Sequence, residues 1–361
     1  TIQILDLSRA KLAKDVELTQ IKIVRTNATI TQLGAAIEQK KTRIEKNKEV
    51  IAGAINRINE LGERSLVEIL LTSDSISNFF IEIDNLARLQ TSLHDSIRSL
   101  KRLASELNDQ KSFSQKNQKE LLALKTQLAD QKLIADGERR EQAALLKETK
   151  NQESRYSKLL VDREARKNTL EKELREYEST LKFILDSASI PQSGTKVFAE
   201  PLDKIFITQQ FGGTVDSVRL YTTGTHNGTD FRASVGTPVK AMLSGTVIGT
   251  GDTDQYSGCY SYGKWVLVKH DNGLSTLYAH FSLIKAVVGQ RVSTGEIIGY
   301  SGYSGYVDPP GPLGAHLHVT LLVSKAVNII RLGDVKKITN CASASIPVAA
   351  LNAYLDPLSY M

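Results

Sequence analysis

Proline and glycine are distributed so unevenly that they divide this chain into two kinds of sequence. All eight prolines lie at or after Pro191. Of the 24 glycines, only Gly34, Gly53, Gly62 and Gly137 come earlier, which leaves 20 in the second part. Proline breaks helix interiors, and both residues are typical of turns. We therefore predict a helical region over residues 1–185, a linker over 186–200, and strands and turns over 201–361.

Apolar residues recur at heptad spacing in the helical part. Three such seams can be read from the sequence: Ile23, Ile30, Ile37, Ile44, Ile51 and Ile58; then Leu86, Leu93, Leu100 and Leu107; then Leu170, Leu174, Tyr177 and Leu181. This spacing predicts a coiled coil. We expect a hairpin in which residues 1–62 pack antiparallel against part of 86–185, although heptads can also pair between chains.

Three segments qualify this hairpin. Residues 66–83 (LVEILLTSDSISNFFIEI) are apolar all round and contain a Ser/Asp break, which predicts the hairpin tip; its apolar side chains either cap the core or dock a partner. The polar residues 108–118 predict a bend or break in the second helix. Residues 150–185 exceed what the first helix can cover, and we expect this surplus helix to lie against the C-terminal domain as a lever or lid.

The C-terminal part has the sequence pattern of an antiparallel all-β domain. VLVKHDNGLSTLYAHF predicts a hairpin that turns at Asp271–Gly273. Glycine-punctuated segments such as TPVKAMLSGTVIGTG are also typical of small barrels that carry biotin or lipoyl groups, which need no active site. The predicted fold class is therefore α plus all-β: a long antiparallel coiled-coil hairpin followed by a small antiparallel β-sheet or barrel-like domain.

Charge and composition exclude some partners. The net charge of +6 is spread over a mixed-sign surface without the basic block that grips nucleic acid, so no nucleic-acid partner is expected. No segment approaches the ~20 apolar residues of a membrane span.

Cys259 and Cys341 lack the spacing of a zinc knuckle, and we expect a disulfide if the protein is exported. Because the chain begins at Thr1 without a visible signal peptide, we expect that a leader or anchor has been removed.

Four of the six histidines lie in three short motifs of the β domain. HNGTD supplies His226 and Asp230, YAH supplies His280, and HLH supplies His316 and His318. In a strand, His316 and His318 leave one face while Leu317 turns into the core. Imidazoles with one carboxylate are the ligands of a catalytic zinc, and the remaining histidines would hold its water or stabilise an oxyanion. Spacing does not decide which histidine of HLH is the ligand.

The two other histidines and Tyr221 lie outside these three motifs. His94 lies in the coiled coil and His270 at the predicted hairpin turn, so both are expected to be exposed to solvent. Tyr221 precedes His226 by five residues; it either adds a hydrogen bond to an oxyanion or lies on the surface, and the surface is the simpler expectation.

HNGTDF, GTPVKAMLSGTV, GLSTLYAH, GQRVSTGEIIGYSG and GAHLHV resemble the lysostaphin/LytM family of zinc endopeptidases over about residues 205–323. The resemblance implies one Zn²⁺ per chain, bound by His226, Asp230 and His318. It implies a catalytic pair, His280 and His316, and a peptidoglycan peptide as the substrate. The loop SGYSGYVDPPGPLGA is longer than the corresponding turn of the family, which puts substrate preference in doubt. The tail 324–361 lies outside the shared core; a Cys259–Cys341 bridge would tie it to the loop before KWVLV, close to the cleft rim.

The helical half resembles the coiled-coil domains of division-associated murein hydrolases and activators of the EnvC and PcsB type. That resemblance implies an exported protein, periplasmic or extracellular and associated with the cell wall, with a membrane signalling complex of the FtsEX type at the coiled-coil tip. Two functions stay open. One is a zinc endopeptidase that cleaves wall cross-links, positioned or autoinhibited by the coiled coil. The other is a non-catalytic activator or scaffold that stimulates amidases; the intact five-residue set favours the enzyme.

Overall fold

The computed structural model describes residues 2–62, 76–149, 153–335 and 340–361. The chain divides into two compact units. One consists of residues 1–16 together with 130–361, and the other of residues 17–129. These units follow packing, whereas the predicted domains follow composition, so their boundaries need not coincide.

Three long helices and two short ones lie in the described residues. The long helices are α1 (Ile2–Gly62), α2 (Ile76–Thr149) and α3 (Glu153–Thr180), and the short ones are α4 (Val215–Leu220) and α5 (Leu332–Val335). Among the described helices, none is both long and apolar enough to cross a membrane.

The 17–129 unit has the predicted two-helix arrangement. All six seam isoleucines of α1 are buried or half-buried, and most residues between them are exposed. Lys40 of α1 forms an ion pair with Glu106 of α2, while Asn47 and Val50 share a groove with Asp84 and Ser99. Because residue numbers rise along α1 as they fall along α2, the two helices run antiparallel. The isoleucine seam of α1 is the apolar stripe that a helix buries against its partner.

The polar segment 108–118 and the predicted tip 66–83 are the two parts of the helical region where an irregularity was expected. The break predicted at residues 108–118 is wrong, because α2 is continuous there. Its polar residues keep the helical backbone; for example, the Asn117 side chain donates to the Phe113 carbonyl one turn earlier while the backbone stays helical. Most of the predicted tip, residues 66–75, lies outside the described residues.

Thirteen short strands form the sheets of the β region. They are β1 (Ile207–Gln209), β2 (Thr229–Arg232), β3 (Pro238–Lys240), β4 (Gly245–Asp252), β5 (Lys264–His270), β6 (Leu274–Ala279), β7 (Phe281–Ile284), β8 (Arg291–Val292), β9 (Ile297–Ser301), β10 (His316–Val323), β11 (Asn328–Arg331), β12 (Ser345–Val348) and β13 (Tyr354–Leu355). Every named pair is antiparallel.

The largest sheet follows the order β1-β2-β10-β6-β5-β4-β8, with β13 also paired to β10. Its path ends at β1 and β8, so in the described residues it is an open sheet rather than a barrel. The strands β3-β9-β7 form a second sheet and β11-β12 a third. The predicted hairpin is confirmed as β5 and β6. Its side chains Trp265, Leu267 and Leu277 belong to the main core, which fixes the strands that carry the site.

A disulfide joins Cys259 to Cys341, as the sequence predicts for an exported chain. Cys259 lies between β4 and β5, and Cys341 lies just before β12 in the tail. Around this bridge a second apolar cluster includes Leu170 of α3, Ile346 and Val348. The tail therefore provides part of the apolar surface on which α3 packs.

Candidate active site

The central strand β10 delivers two of the five predicted site residues. His316 and His318 project from one face, while Leu317 between them is fully buried in the core, as the strand period predicts. β10 lies between β2 and β6, and His318 is paired with Asp230 on one side and with Ala279 on the other. The sheet thereby brings HNGTD, YAH and HLH to one place.

His226, Asp230 and His318 form a compact buried cluster of candidate metal ligands. The separations are 3.4 Å from His226 Nε2 to Asp230 Oδ1, 2.8 Å from His318 Nδ1 to the same oxygen, and 3.1 Å between the two nitrogens. Tetrahedral ligands at zinc bond lengths lie roughly 3.3–3.6 Å apart. The donor types and their spacing fit zinc with only small adjustment.

Hydrogen bonds on the far side of each ring orient these imidazoles. His226 Nδ1 lies 3.1 Å from the Gln210 carbonyl, and His318 Nε2 lies 2.9 Å from Thr320 Oγ1. The nitrogen that faces Asp230 is thus the one left to bind a metal. Metal-binding histidines are commonly fixed in this way by a second hydrogen bond.

His280 and His316 form a second pair beside the cluster, with ring centroids 4.6 Å apart. His280 Nδ1 lies 2.7 Å from the Ser304 carbonyl, and His316 Nδ1 lies 2.7 Å from the Gly314 carbonyl. Both acceptors belong to the loop of residues 302–315 that precedes β10. Since carbonyls only accept hydrogen bonds, each Nδ1 carries a proton and each Nε2 is free to act as a base or, when protonated, as a donor.

The backbone of His280 adopts an unusual conformation. Its φ is 63°, the only positive φ of a non-glycine residue among the described residues. Its backbone N–H donates to the Tyr262 carbonyl at 3.0 Å, which holds the turn after β6. Such left-handed residues cost free energy and are concentrated at functional sites.

The surroundings of Asp230 and His318 favour the protonation states that a metal needs. Burial raises the pKa of Asp230, but His316 and His226 beside it, with hydrogen bonds from His226 and His318, hold that pKa well below its usual range. Burial and the neighbouring His316 lower the pKa of His280 well below that of a free imidazole. Burial also lowers the pKa of His318. An ionised carboxylate and neutral imidazoles are the metal-binding forms.

Two sequence expectations about single residues are wrong. His270 is not exposed, because it is the last residue of β5 and turns inward, where Nε2 lies 2.8 Å from Thr276 Oγ1. Tyr221 is not a free surface residue, because its ring stacks on His226 with centroids 5.2 Å apart. The expectation that His94 is exposed is met.

Helix α3 lines one wall of the cavity that contains the five residues. The cavity has a volume of about 680 Å³, and its α3 wall includes Lys167, Glu171 and Arg175. The loop residues Tyr306 and Leu313 line it as well. The sequence predicted that this helix lies against the C-terminal domain, but it did not single out these polar residues, because a heptad seam identifies only the apolar face of a helix.

Polar contacts hold α3 along this rim. Glu171 accepts hydrogen bonds from the backbone N–H and the hydroxyl of Thr222, at 3.2 and 3.1 Å. Arg175 donates to Thr225 Oγ1 at 2.7 Å, one residue before His226. Arg163 donates to the Gly305 carbonyl at 2.9 Å, one residue after the acceptor for His280. The helix therefore touches both segments that position the candidate site.

Residues 224–329 match the model of Peptidase family M23. The chain is 40% identical over 107 residues to peptidoglycan DD-endopeptidase ShyA of Vibrio cholerae, covering 29% of this chain and 22% of the relative. It is 36% identical over 119 residues to DD-carboxypeptidase/endopeptidase Mpg of Neisseria meningitidis, covering 33% of this chain and 25% of that protein. The chain thus spans a quarter or less of the length of these curated relatives.

Among solved structures, a zinc containing peptidase from Vibrio cholerae shares 29% identity, with a TM-score of 0.29 and coverage of 37% of each chain. The solution structure of lysostaphin also shares 29% identity, with a TM-score of 0.29, over 36% of this chain and 49% of that one. The family match contains all five candidate residues.

Proposed function

We propose, from the Peptidase family M23 domain that this chain contains at residues 224–329, that the protein is a zinc-dependent endopeptidase of peptidoglycan peptides. One observation carries the proposal: a three-donor cluster of His226, Asp230 and His318 lies directly beside the His280–His316 pair. The M23 relatives named above include a peptidoglycan endopeptidase.

In this proposal His226, Asp230 and His318 hold the zinc ion. A zinc ion bound there would act as a Lewis acid and lower the pKa of a bound water to roughly 7. His280 and His316 each point a free Nε2 into the site, since the loop carbonyls fix both Nδ1 protons. One of them accepts the proton of the attacking water and the other donates to the developing oxyanion.

Zinc content and wall hydrolysis, measured together, test this assignment. His226→Ala and Asp230→Ala are expected to lose bound zinc and hydrolysis, because each removes a donor. His280→Ala is expected to keep zinc and lose hydrolysis by roughly a hundredfold or more. His94→Ala, an exposed histidine of α2, is the matched control and should change neither quantity. Full activity of His280→Ala would remove this residue from the mechanism.

The position of α3 supports a further part of the proposal, autoinhibition. The helix lines the cavity, and its residue Leu170 is only 5% exposed in the apolar cluster around the disulfide. A cross-linked wall peptide needs an open groove, so α3 must move before substrate reaches the histidines. The export, wall association and FtsEX-type signal implied by the coiled-coil resemblance complete this proposal: such a signal would release the helix.

A pair of substitutions on α3 tests autoinhibition in the full chain. Leu170→Asp places a charge in the apolar cluster around the disulfide. This charge should release α3 and raise wall hydrolysis at least tenfold. Val161→Asp is the control, since Val161 is 68% exposed on the same helix, and should leave the rate unchanged. Equal rates in both variants would contradict autoinhibition. Stoichiometric zinc without hydrolysis in either variant would instead favour the amidase-activator function.

A further inference from the structure

The ammonium group of Lys167 is buried at the edge of the cavity. Its side chain is only 6% exposed, although it belongs to a helix with a polar surface. Lys167 Nζ lies 4.7 Å from the ring centroid of Tyr221 and 4.9 Å from that of Tyr306. It donates a hydrogen bond to the Leu220 carbonyl and lies 3.0 Å from Glu171 on its own helix.

Burying an ammonium group is costly unless other groups replace its water. Aromatic faces within about 6 Å and a carbonyl acceptor do this for a cation. Tyr221, Tyr306 and the Leu220 carbonyl belong to the β region, whereas the cation and Glu171 belong to α3. If α3 moves away, the two rings and the carbonyl stay behind as an empty ammonium cage.

This cage adjoins the candidate active site. Tyr221 stacks on His226 at an interplanar angle of 10°, so the ring that contacts the cation in the cage also contacts a candidate zinc ligand. Tyr221 and Tyr306 line the same cavity as His280 and His316. A group bound in the cage would therefore belong to a substrate that reaches the histidines.

We propose that Tyr221, Tyr306 and the Leu220 carbonyl form a subsite for a primary ammonium group of the substrate, which Lys167 occupies in this structure. The inference rests on the proposed function, because it assigns a substrate group to the same cleft. It makes Lys167 an internal mimic of that group. A side-chain amine and a free amino terminus offer the same chemistry, and the substrates tested below distinguish them.

The cage can be tested without hydrolysis, in the full chain. Lys167→Ala empties the cage while Leu170 still seats α3. We expect n-butylamine to raise the Tm of this variant saturably by several degrees, and n-butanol, its neutral analogue, to have no comparable effect. Adding Tyr306→Leu to the Lys167→Ala chain should abolish the amine effect. Lys167→Ser provides the same test if the alanine variant does not fold. Equal effects of amine and alcohol, or no effect of either, would overturn the subsite.

Substrate preference provides the second test. In the Leu170→Asp chain, we compare cross-linked peptides with free amines, with acetylated side-chain amines and with an acetylated amino terminus. One acetylation is expected to lower hydrolysis at least tenfold, and Tyr306→Leu should remove that preference. Equal hydrolysis of all three peptides would refute a substrate subsite. If no peptide is cleaved, the proposed function fails, and the amine titration still decides whether the cage binds ammonium.

Discussion

At the scale of single residues, Gly228 shows how tightly the candidate metal site is packed. A Cβ atom at this position would lie 2.4 Å from the Val319 carbonyl oxygen and 2.7 Å from the imidazole of His318. Glycine is therefore required where the HNGTD turn crosses β10. The close approach is what allows His226 and Asp230, on either side of Gly228, to meet His318.

Gly228→Ala is therefore expected to move His318 and weaken metal binding. We expect zinc affinity to fall at least tenfold and the free energy of unfolding to fall by roughly 1–3 kcal/mol, as for other overpacked sites. Metal titration followed by urea unfolding of the metal-free protein measures both effects. Gly213→Ala is the matched control, because its Cβ would meet only the Gly224 carbonyl oxygen, at 3.8 Å. Wild-type zinc affinity in Gly228→Ala would show that the crowding has no role at the site.

What the sequence could predict about this site follows from its periodicity. The alternation in β10 correctly placed Leu317 in the core and His316 with His318 on one face. The error at His270 arose because the turn begins only at Asp271, so one residue of register separates a buried side chain from an exposed one. Tyr221 stacks on His226 through the irregular turn between them, and it contacts Lys167 of α3, which is distant in sequence; periodicity reports neither contact.

At the scale of elements, the C-terminal segment of α2 packs against the β region through an acidic side chain. Glu138 is 5% exposed, and its neighbour Glu141 accepts a hydrogen bond from Tyr303 at 2.9 Å. Burial, together with the charge of Glu141, raises the pKa of Glu138 to about 7, although a hydrogen bond with Tyr303 opposes the shift. The carboxyl is therefore protonated at mildly acidic pH.

This shift predicts how the packing of α2 depends on pH. The pKa of Glu138 is about 7 in the folded protein, against an ordinary value of 4.5, so the folded state binds more protons between these pH values. The contribution of Glu138 to stability is therefore fully present below about pH 4.5 and is lost as pH rises towards and through 7. Glu138→Gln should remove this loss and be more stable than wild type at pH 8, by roughly 1–3 kcal/mol.

Amide hydrogen exchange of residues 130–149 between pH 5 and 8, corrected for intrinsic exchange, measures this effect. Glu141→Gln should move the loss to more acidic pH, because it removes a neighbouring charge that raises the pKa of Glu138. If wild type and Glu138→Gln lose protection in parallel over this range, the assigned cause is wrong.

The elements themselves were predictable to different degrees. Heptad spacing identified the helices because an apolar stripe must face a partner. The interruption expected at residues 108–118 did not occur, because polar side chains such as Asn117 bond to the preceding turn and leave the helix intact. The sequence placed α3 against the C-terminal domain but could not show that the tail builds the contact surface, because the tail has no pattern that names its partner.

At the scale of the whole molecule, the Cys259–Cys341 disulfide connects the β region, the tail and α3. The bridge spans 82 residues of sequence and lies in the same apolar cluster as Leu170 of α3. The strands that carry Asp230 and His318, β2 and β10, pair with each other through backbone hydrogen bonds and do not include either cysteine. Loss of the bridge should therefore weaken the packing of α3 more than it affects the metal site.

Replacing both cysteines by serine tests this connection. We expect the free energy of unfolding to fall by about 2–4 kcal/mol. If α3 inhibits the enzyme, wall hydrolysis by the full chain should rise, because the tail no longer holds the helix firmly. Zinc content should stay at the wild-type level. Dithiothreitol should reproduce the gain in hydrolysis with wild type and have no effect on the double serine variant, which separates the disulfide from other actions of the reductant. A loss of zinc together with hydrolysis would show that the bridge supports the metal site itself.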